Sequence, residues 1–262
     1  MTAADGGRRE RSLSFGSQAA AYERGRPSYP PEAVDWLLAA GPGTPVRDVL
    51  DLGAGTGKLT SRLVERGLNV VAVDPIAELL DVLRTTLPDT PALLGTAEQI
   101  PLPDNSIDAV LVAQAWHWFD PERAAAEVAR VLRPGGRLGL LWNVRDERLG
   151  WVKEFGRIVG LEHDWANTTV VLPKPFTDVQ THRVEWTNYI TPQALIDYVA
   201  SRSYCITSPA EARTRTLDEV RTLLATHPSL AGAEGIALPY ITACARAMLG
   251  YLVPSGSMVY AT

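Results

Sequence analysis

The sequence of 262 residues has the length of one large α/β domain, and its 46% hydrophobic content is that of a chain that buries a core. A net charge of −5 counts against a long phosphate backbone as partner, since no basic run besides residues 8–11 offsets it. Two cysteines, Cys205 and Cys244, lack zinc-ligand spacing and are too few for a disulfide framework, the N-terminus carries no apolar leader, and no stretch reaches membrane-spanning length. The expected setting is cytoplasmic, with no metal, no nucleic acid and no membrane partner.

Residues 1–14 have mixed charge and no hydrophobic periodicity, which predicts a flexible tail. Residues 15–22 suit a short helix, and Tyr22-Glu23-Arg24-Gly25-Arg26-Pro27 then begins a proline-stiffened lead-in with two cations. Pro31 fits the first turn of a helix with an apolar side of Ala33, Val34, Trp36, Leu37 and Leu38, which Gly41-Pro42-Gly43 ends. Residues 49–52 read as a buried strand, and the turn Gly53-Ala54-Gly55-Thr56-Gly57 lets the backbone approach a ligand with no Cβ in the way. A helix from about Lys58 follows, its free N–H groups facing whatever lies above the turn and its buried stripe formed by Leu59, Leu63 and Val64. The next strand, 70–73, delivers Asp74 to its carboxyl end, where open parallel sheets place a ribose-binding acid.

Residues 77–87 predict a helix with Leu79, Leu80 and Leu83 inward, and Leu93-Leu94 a short strand. After the turn at Asp104-Asn105-Ser106, residues 107–113 are apolar enough for a strand covered on both faces. That strand leads to Gln114-Ala115-Trp116-His117-Trp118-Phe119, an aromatic cluster at a strand end, which forms either a pocket wall or a cap on the core. A helix at 122–132, the turn Arg133-Pro134-Gly135-Gly136 and a strand at 137–142 come next. Arg145, just beyond, can meet an acidic substrate or pair with Asp146 or Glu147. The last third predicts helices at 151–159, 192–202 and 217–225, a loop or small lid around 163–175, and strands at 181–187 and 236–242. His163 and Asp164 have no third ligand at a workable spacing, so metal is rejected.

Glycine spacing identifies the ligand class. A dinucleotide fingerprint would place its three glycines at Gly53, Gly55 and Lys58, and the third is missing. Read as Asp51-Leu52-Gly53-Ala54-Gly55-Thr56-Gly57, the turn resembles motif I of the class I S-adenosylmethionine-dependent methyltransferases. The lead-in Arg-x-Arg-Pro, the His-Trp pair and the Leu-Arg-Pro-Gly-Gly turn are similar to the small-molecule branch that contains the trans-aconitate methyltransferases, over about residues 22–142. The resemblance implies a Rossmann-like, doubly wound α/β fold, with seven strands, mostly parallel, and an antiparallel last strand. It implies one methyltransferase domain at 15–247, with a cofactor half at 22–142 and a substrate or lid half at 143–247, and a C-terminal tail at 248–262.

S-adenosylmethionine, leaving as S-adenosylhomocysteine, is then the implied cofactor, with Asp51, Gly53, Ala54 and Gly55 around its methionine part and Asp74 on the ribose. Pro75 and Ile76 would wall the adenine. Thr96, Ala97 and Glu98 stand where relatives carry an acid and a backbone N–H for the adenine amine and ring; Thr96 replaces the acid, and Glu98 is either ligand or solvated. Gln114 would border the cofactor from the next strand end. Tyr22 would border the sulfonium, and Arg26, or else Arg24, would pair with the methionine carboxylate. Trp116, His117, Trp118, Arg145 and Tyr204 would line the substrate pocket.

Methyl transfer from a sulfonium is an in-line displacement, so position is the main catalytic device, worth roughly 7–11 kcal/mol in ideal cases. A carboxylate acceptor needs a cation to hold it, such as Arg24, Arg145 or Arg202, whereas a hydroxyl gains from a base, for which His117 is the candidate. The expectation is O-methylation of a small-molecule acceptor by a monomer or homodimer. Methylation of a transfer-RNA nucleoside, or cofactor binding without turnover, are the alternatives.

Overall fold

In a computed structural model of the chain, residues 27–39, 45–160, 165–200, 202, 205 and 208–250 are described. Apolar runs become the interior strands: β1 (Asp48–Leu52), β2 (Asn69–Asp74), β4 (Ile107–Ala113) and β5 (Leu132–Arg145). With the short β3 (Ala92–Leu94), β6 (Phe176–Ile190) and β7 (Ile236–Leu249) they form one seven-stranded sheet in the order β3-β2-β1-β4-β5-β7-β6. β1 to β5 pair in parallel, and β7 runs antiparallel to both β5 and β6, as the family resemblance predicts.

Strand alternation divides the core between the two faces of the sheet. Leu50, Leu52, Val110, Val112, Leu138 and Leu140 pack on the side of α4 (Pro121–Val131). Val49, Leu111 and Leu141 pack with α1 (Pro31–Leu38) and α2 (Lys58–Val64). α3 (Ala77–Thr86) turns Leu80 and Leu83 toward Ala54 and Ala72. A separate cluster joins α5 (Gly150–Val159), α6 (Pro192–Ala200) and α7 (Ala210–Thr226) to the start of β7 through Phe155, Tyr198, Leu223 and Tyr240.

The chain builds β1, β2 and β3 outward in one direction and then returns to lay β4 on the other side of β1. Open parallel sheets place a ligand crevice outside the carboxyl edge at such a switch point, here between β1 and β4.

Several expectations about elements need correction, among them the strand expected at 137–142, which as β5 starts at Leu132 and takes in the expected turn at 133–136. β6 and β7 extend well beyond 181–187 and 236–242, because each pairs with its neighbour along most of its length, including stretches whose exposed polar residues conceal the period. β7 therefore runs to Leu249, past the boundary expected at 247. α7 begins at Ala210, well before 217, on a polar and mostly exposed first half. Val64 is 38% exposed, and the inward position of α2 belongs to Thr60 instead.

Candidate active site

β1 ends in a turn that two glycines shape for different reasons. Gly53 has φ +76 and Gly55 φ +56, backbone conformations that residues with a Cβ seldom adopt. The N–H groups of Gly53 and Ala54 both donate to the Val73 carbonyl, at 2.8 and 3.1 Å, which ties the turn to the end of β2. A Cβ on Gly53 would lie 2.7 Å from the Ala115 Cβ, so the turn passes tightly beneath the loop leaving β4. Among the described residues, a Cβ on Gly55 would meet nothing within 4 Å, so none of them covers this peptide.

Asp74 closes the other side. Its Oδ2 accepts the Gly55 N–H and its Oδ1 the Ile76 N–H, each at 2.9 Å, and the residue is 5% exposed. Burial pushes its carboxyl up to about 6, against the two N–H groups that favour the anion. Each oxygen keeps acceptor capacity beyond the one bond it makes here, so a vicinal diol has one acceptor for each hydroxyl. Asp51 lies fully buried behind the turn, with Oδ2 accepting the Thr60 hydroxyl at 2.6 Å and Oδ1 lacking a hydrogen-bond partner among the described residues. Burial, opposed by the Thr60 hydroxyl and helped by the nearby Asp74 charge, raises the Asp51 carboxyl to about 7. The sequence reading missed Thr60; the available signal was a polar residue at an inward position between Leu59 and Leu63.

Gln114 leaves β4 with φ +57, and its Nε2 donates to the Asn143 carbonyl at 3.0 Å, so its side chain is tied to the end of β5. The following residues make a 3-10 turn, Trp116–Trp118. Trp116 belongs to the core: it is 8% exposed and meets Phe119 edge-on at 5.8 Å. This burial fits the alternative in which Trp116 caps the core. His117 is exposed and stands between Trp118, at 4.9 Å, and Trp165, at 5.6 Å; Trp165 in turn stacks on Trp142 at 4.6 Å. A chain of aromatic rings thus runs from the end of β4 to the buried Trp142 of β5.

Beside Asp74, Pro75 is exposed and Ile76 is 5% exposed. Ala97 is buried, Thr96 is exposed, and the Glu98 carboxylate accepts the Asp120 N–H at 2.9 Å, which braces the start of α4. Glu98 thus has a local structural partner. Of the two roles open to Arg145, an acidic substrate or an acidic neighbour, the second has its partner in Glu147. The Arg145 side chain is fully buried, donates to the Tyr198 hydroxyl at 3.3 Å and the Gly160 carbonyl at 3.2 Å, lies 3.6 Å from Glu147 and sits over the Phe155 ring. Asp146 pairs with Arg148 instead. The expected site residues Tyr22, Arg26 and Tyr204, and the alternatives Arg24, His163 and Asp164, lie outside the described residues.

Comparison with known proteins agrees with this geometry. Residues 50–140 match the family model described as a methyltransferase domain. An uncharacterized methyltransferase of Mycobacterium tuberculosis (strain ATCC 25618 / H37Rv) is 74% identical over 242 residues, 92% of this chain and 98% of the relative. An uncharacterized methyltransferase-like protein of Schizosaccharomyces pombe is 33% identical over 237 residues, 87% of this chain and 93% of the relative. A solved structure from Anaeromyxobacter dehalogenans, described as a candidate type II methyltransferase, superposes with TM-score 0.61 at 27% identity, covering 86% of this chain and 99% of that one.

The chain belongs to the class I S-adenosylmethionine-dependent methyltransferases.

The residues present fit the cofactor of this family. Asp74 has acceptors for a ribose diol, no described residue covers the Gly55 peptide, and Asp51 has a buried oxygen without a partner among the described residues. No group of His, Cys, Asp and Glu that could hold a metal ion occurs among the described residues of this methyltransferase, and no described helix is long and apolar enough to cross a membrane.

Proposed function

We propose that this methyltransferase methylates the oxygen of a small-molecule hydroxyl, with His117 as the base. The observation that carries the proposal is the exposed His117 ring, held between Trp118 and Trp165 at the carboxyl edge of β4. When bound, S-adenosylmethionine supplies an electrophilic methyl carbon on a sulfonium. The chain's own groups then have separable tasks. Asp74 and the Gly55 turn hold and orient the cofactor, while Trp118 and Trp165 give an acceptor an apolar surface and keep water away. The His117 imidazole would take the proton of the acceptor hydroxyl, leaving its oxygen to receive the methyl group that the cofactor would supply.

Two arginines favour a hydroxyl over a carboxylate acceptor. Arg145 and Arg202 both donate to the Tyr198 hydroxyl, at 3.3 and 2.7 Å, and are engaged within the α5-α6-α7 side of the molecule. An acidic acceptor would need a cation that faces it. The test is a calorimetric titration with S-adenosylhomocysteine and with NAD, followed by a methyl-acceptor screen pairing small hydroxylated compounds with carboxylated ones. Methyl consumption with hydroxylated compounds, lost in His117→Ala, supports the proposal. Turnover of carboxylates alone, or of hydroxyls at an unaltered rate in His117→Ala, overturns it.

A further inference from the structure

A chain of side-chain hydrogen bonds crosses three strands near the carboxyl edge of the sheet and ends on the segment before α1. Trp186 of β6 donates its Nε1–H to the Thr242 Oγ1 of β7 at 2.8 Å. Thr242 donates its hydroxyl to the Asn143 Oδ1 of β5 at 2.7 Å, and Asn143 donates from Nδ2 to the Ser28 carbonyl at 3.0 Å. The direction of every bond follows from the first and the last. An indole N–H can only donate and a carbonyl can only accept, so the Thr242 proton must point to Asn143 and the Asn143 NH2 to Ser28. The amide orientation of Asn143 is therefore set by chemistry and not by choice of conformer.

The location makes this chain more than a packing detail. Thr242 is fully buried and Asn143 6% exposed, so a bond left unmade there is costly, and neighbouring Leu141, Ala243 and Cys244 fill the same region without polar side-chain oxygens or amides. The Asn143 backbone carbonyl also accepts the Gln114 side chain at 3.0 Å, so one residue touches the end of β4 and the lead-in at Ser28. Ser28 has a second hold, its hydroxyl accepting the Arg62 Nε–H at 2.8 Å from α2, the helix that follows the glycine turn. Tyr29 and Pro30 are buried directly after it. The lead-in is thus fastened to the end of β5 and to the helix that follows the glycine turn.

We propose that Asn143 is a positioning residue for cofactor retention. Its amide, oriented by Trp186 and Thr242, clamps residues 27–30 against the carboxyl edge beside the glycine turn, and the clamp raises affinity for the S-adenosyl cofactor. The inference rests on the cofactor lying in the crevice at the carboxyl edge, above the Gly55 turn and Asp74. A lead-in held in place before binding has less conformational freedom to lose when the ligand arrives, and that difference appears as affinity.

The experiment is a calorimetric titration of the full chain with S-adenosylhomocysteine, run well below each variant's melting temperature, with hydrogen exchange at the Ser28 and Tyr29 amides measured without ligand. Thr242→Val keeps the shape but removes the relay; Thr242→Ser keeps the hydroxyl; Asn143→Asp keeps the Thr242 bond but sets a carboxylate against the Ser28 carbonyl. Thr242→Val and Asn143→Asp are expected to weaken binding about tenfold or more and to speed exchange at Ser28 and Tyr29, with Thr242→Ser within about twofold of the parent, the scale of one buried hydrogen bond. Equal affinity for the parent, Thr242→Val and Thr242→Ser overturns the clamp and leaves the cofactor site standing. No binding by the parent overturns the cofactor site and the clamp with it. Should Asn143→Asp fail to fold, the two Thr242 variants decide alone.

Discussion

The Asp74 carboxylate accepts the Gly55 N–H at 2.9 Å, which joins the end of β2 to the middle of the glycine turn after β1. The bond holds the turn open toward the crevice and at the same time fixes the direction of the carboxylate. Turn and acid therefore act as one unit, and a change in either is felt by the other.

Replacing Asp74 by Ala should weaken S-adenosylhomocysteine by at least about a hundredfold, since hydrogen bonds to a charged group contribute about 1.5–3 kcal/mol each and a diol makes two. Melting should shift down modestly, because the Gly55 and Ile76 N–H groups lose their acceptor. Equilibrium titration checks the first effect and thermal denaturation the second; undiminished affinity would remove Asp74 from the cofactor site.

Asp74 and Asp51 predict opposite pH trends for binding and for stability. Burial raises their carboxyls to about 6 and about 7, above the ordinary 3.8. The fold then binds more protons than the unfolded chain between those values, so their stabilising contribution is full below about 4 and is lost as pH rises through about 6 and about 7. A ribose diol prefers the ionised Asp74, so cofactor affinity should rise across the same window. Melting curves and titrations from about pH 5 to about pH 8 test both, and Asp74→Asn should flatten the binding trend.

Two glycine substitutions should separate folding from binding. Gly53→Ala places a Cβ 2.7 Å from the Ala115 Cβ at φ +76, and should lower stability by about 1–3 kcal/mol through overpacking and backbone strain. Gly55→Ala has no neighbour to strike within 4 Å among the described residues, so its folding penalty should be limited to the backbone, about 1 kcal/mol. Its Cβ projects into the crevice, and S-adenosylhomocysteine binding should suffer more than melting. The opposite ranking would mean that the Gly55 peptide is not where the ligand sits.

His117→Ala should reduce turnover of a hydroxyl acceptor about 10²–10⁴-fold while leaving S-adenosylhomocysteine affinity within about twofold. Because His117 is exposed, the fold should tolerate the change, and steady-state rates can be compared at matched cofactor saturation. Rates that do not respond would make it a member of the chain of aromatic rings and no more.

Arg145→Ala should instead cost stability, by about 3 kcal/mol, because the guanidinium fills a fully buried position among Tyr198, Phe155 and Gly160. Titration with S-adenosylhomocysteine on the folded fraction should show little change in affinity, and a large loss there would return Arg145 to the binding site.

The sequence by itself determined the parallel core, the glycine turn, Asp74 at the end of β2 and the aromatic loop after β4. These features are legible because each rests on short-range spacing: glycines that relieve steric clash, a strand's apolar run, and an acid placed where that run ends. Tertiary structure alone decided the partners. Thr60 reaches Asp51 only because α2 folds back over β1, and Arg145 turns into the cluster of Phe155 and Tyr198 because α5 and α6 close over it. The same is true of β7, whose full length depends on having a strand on each side, and of Asn143, whose amide meets a carbonyl 115 positions earlier in the chain. Periodicity tells which face of an element is buried, but the group that a buried polar atom meets is settled when distant elements pack and each donor must find an acceptor.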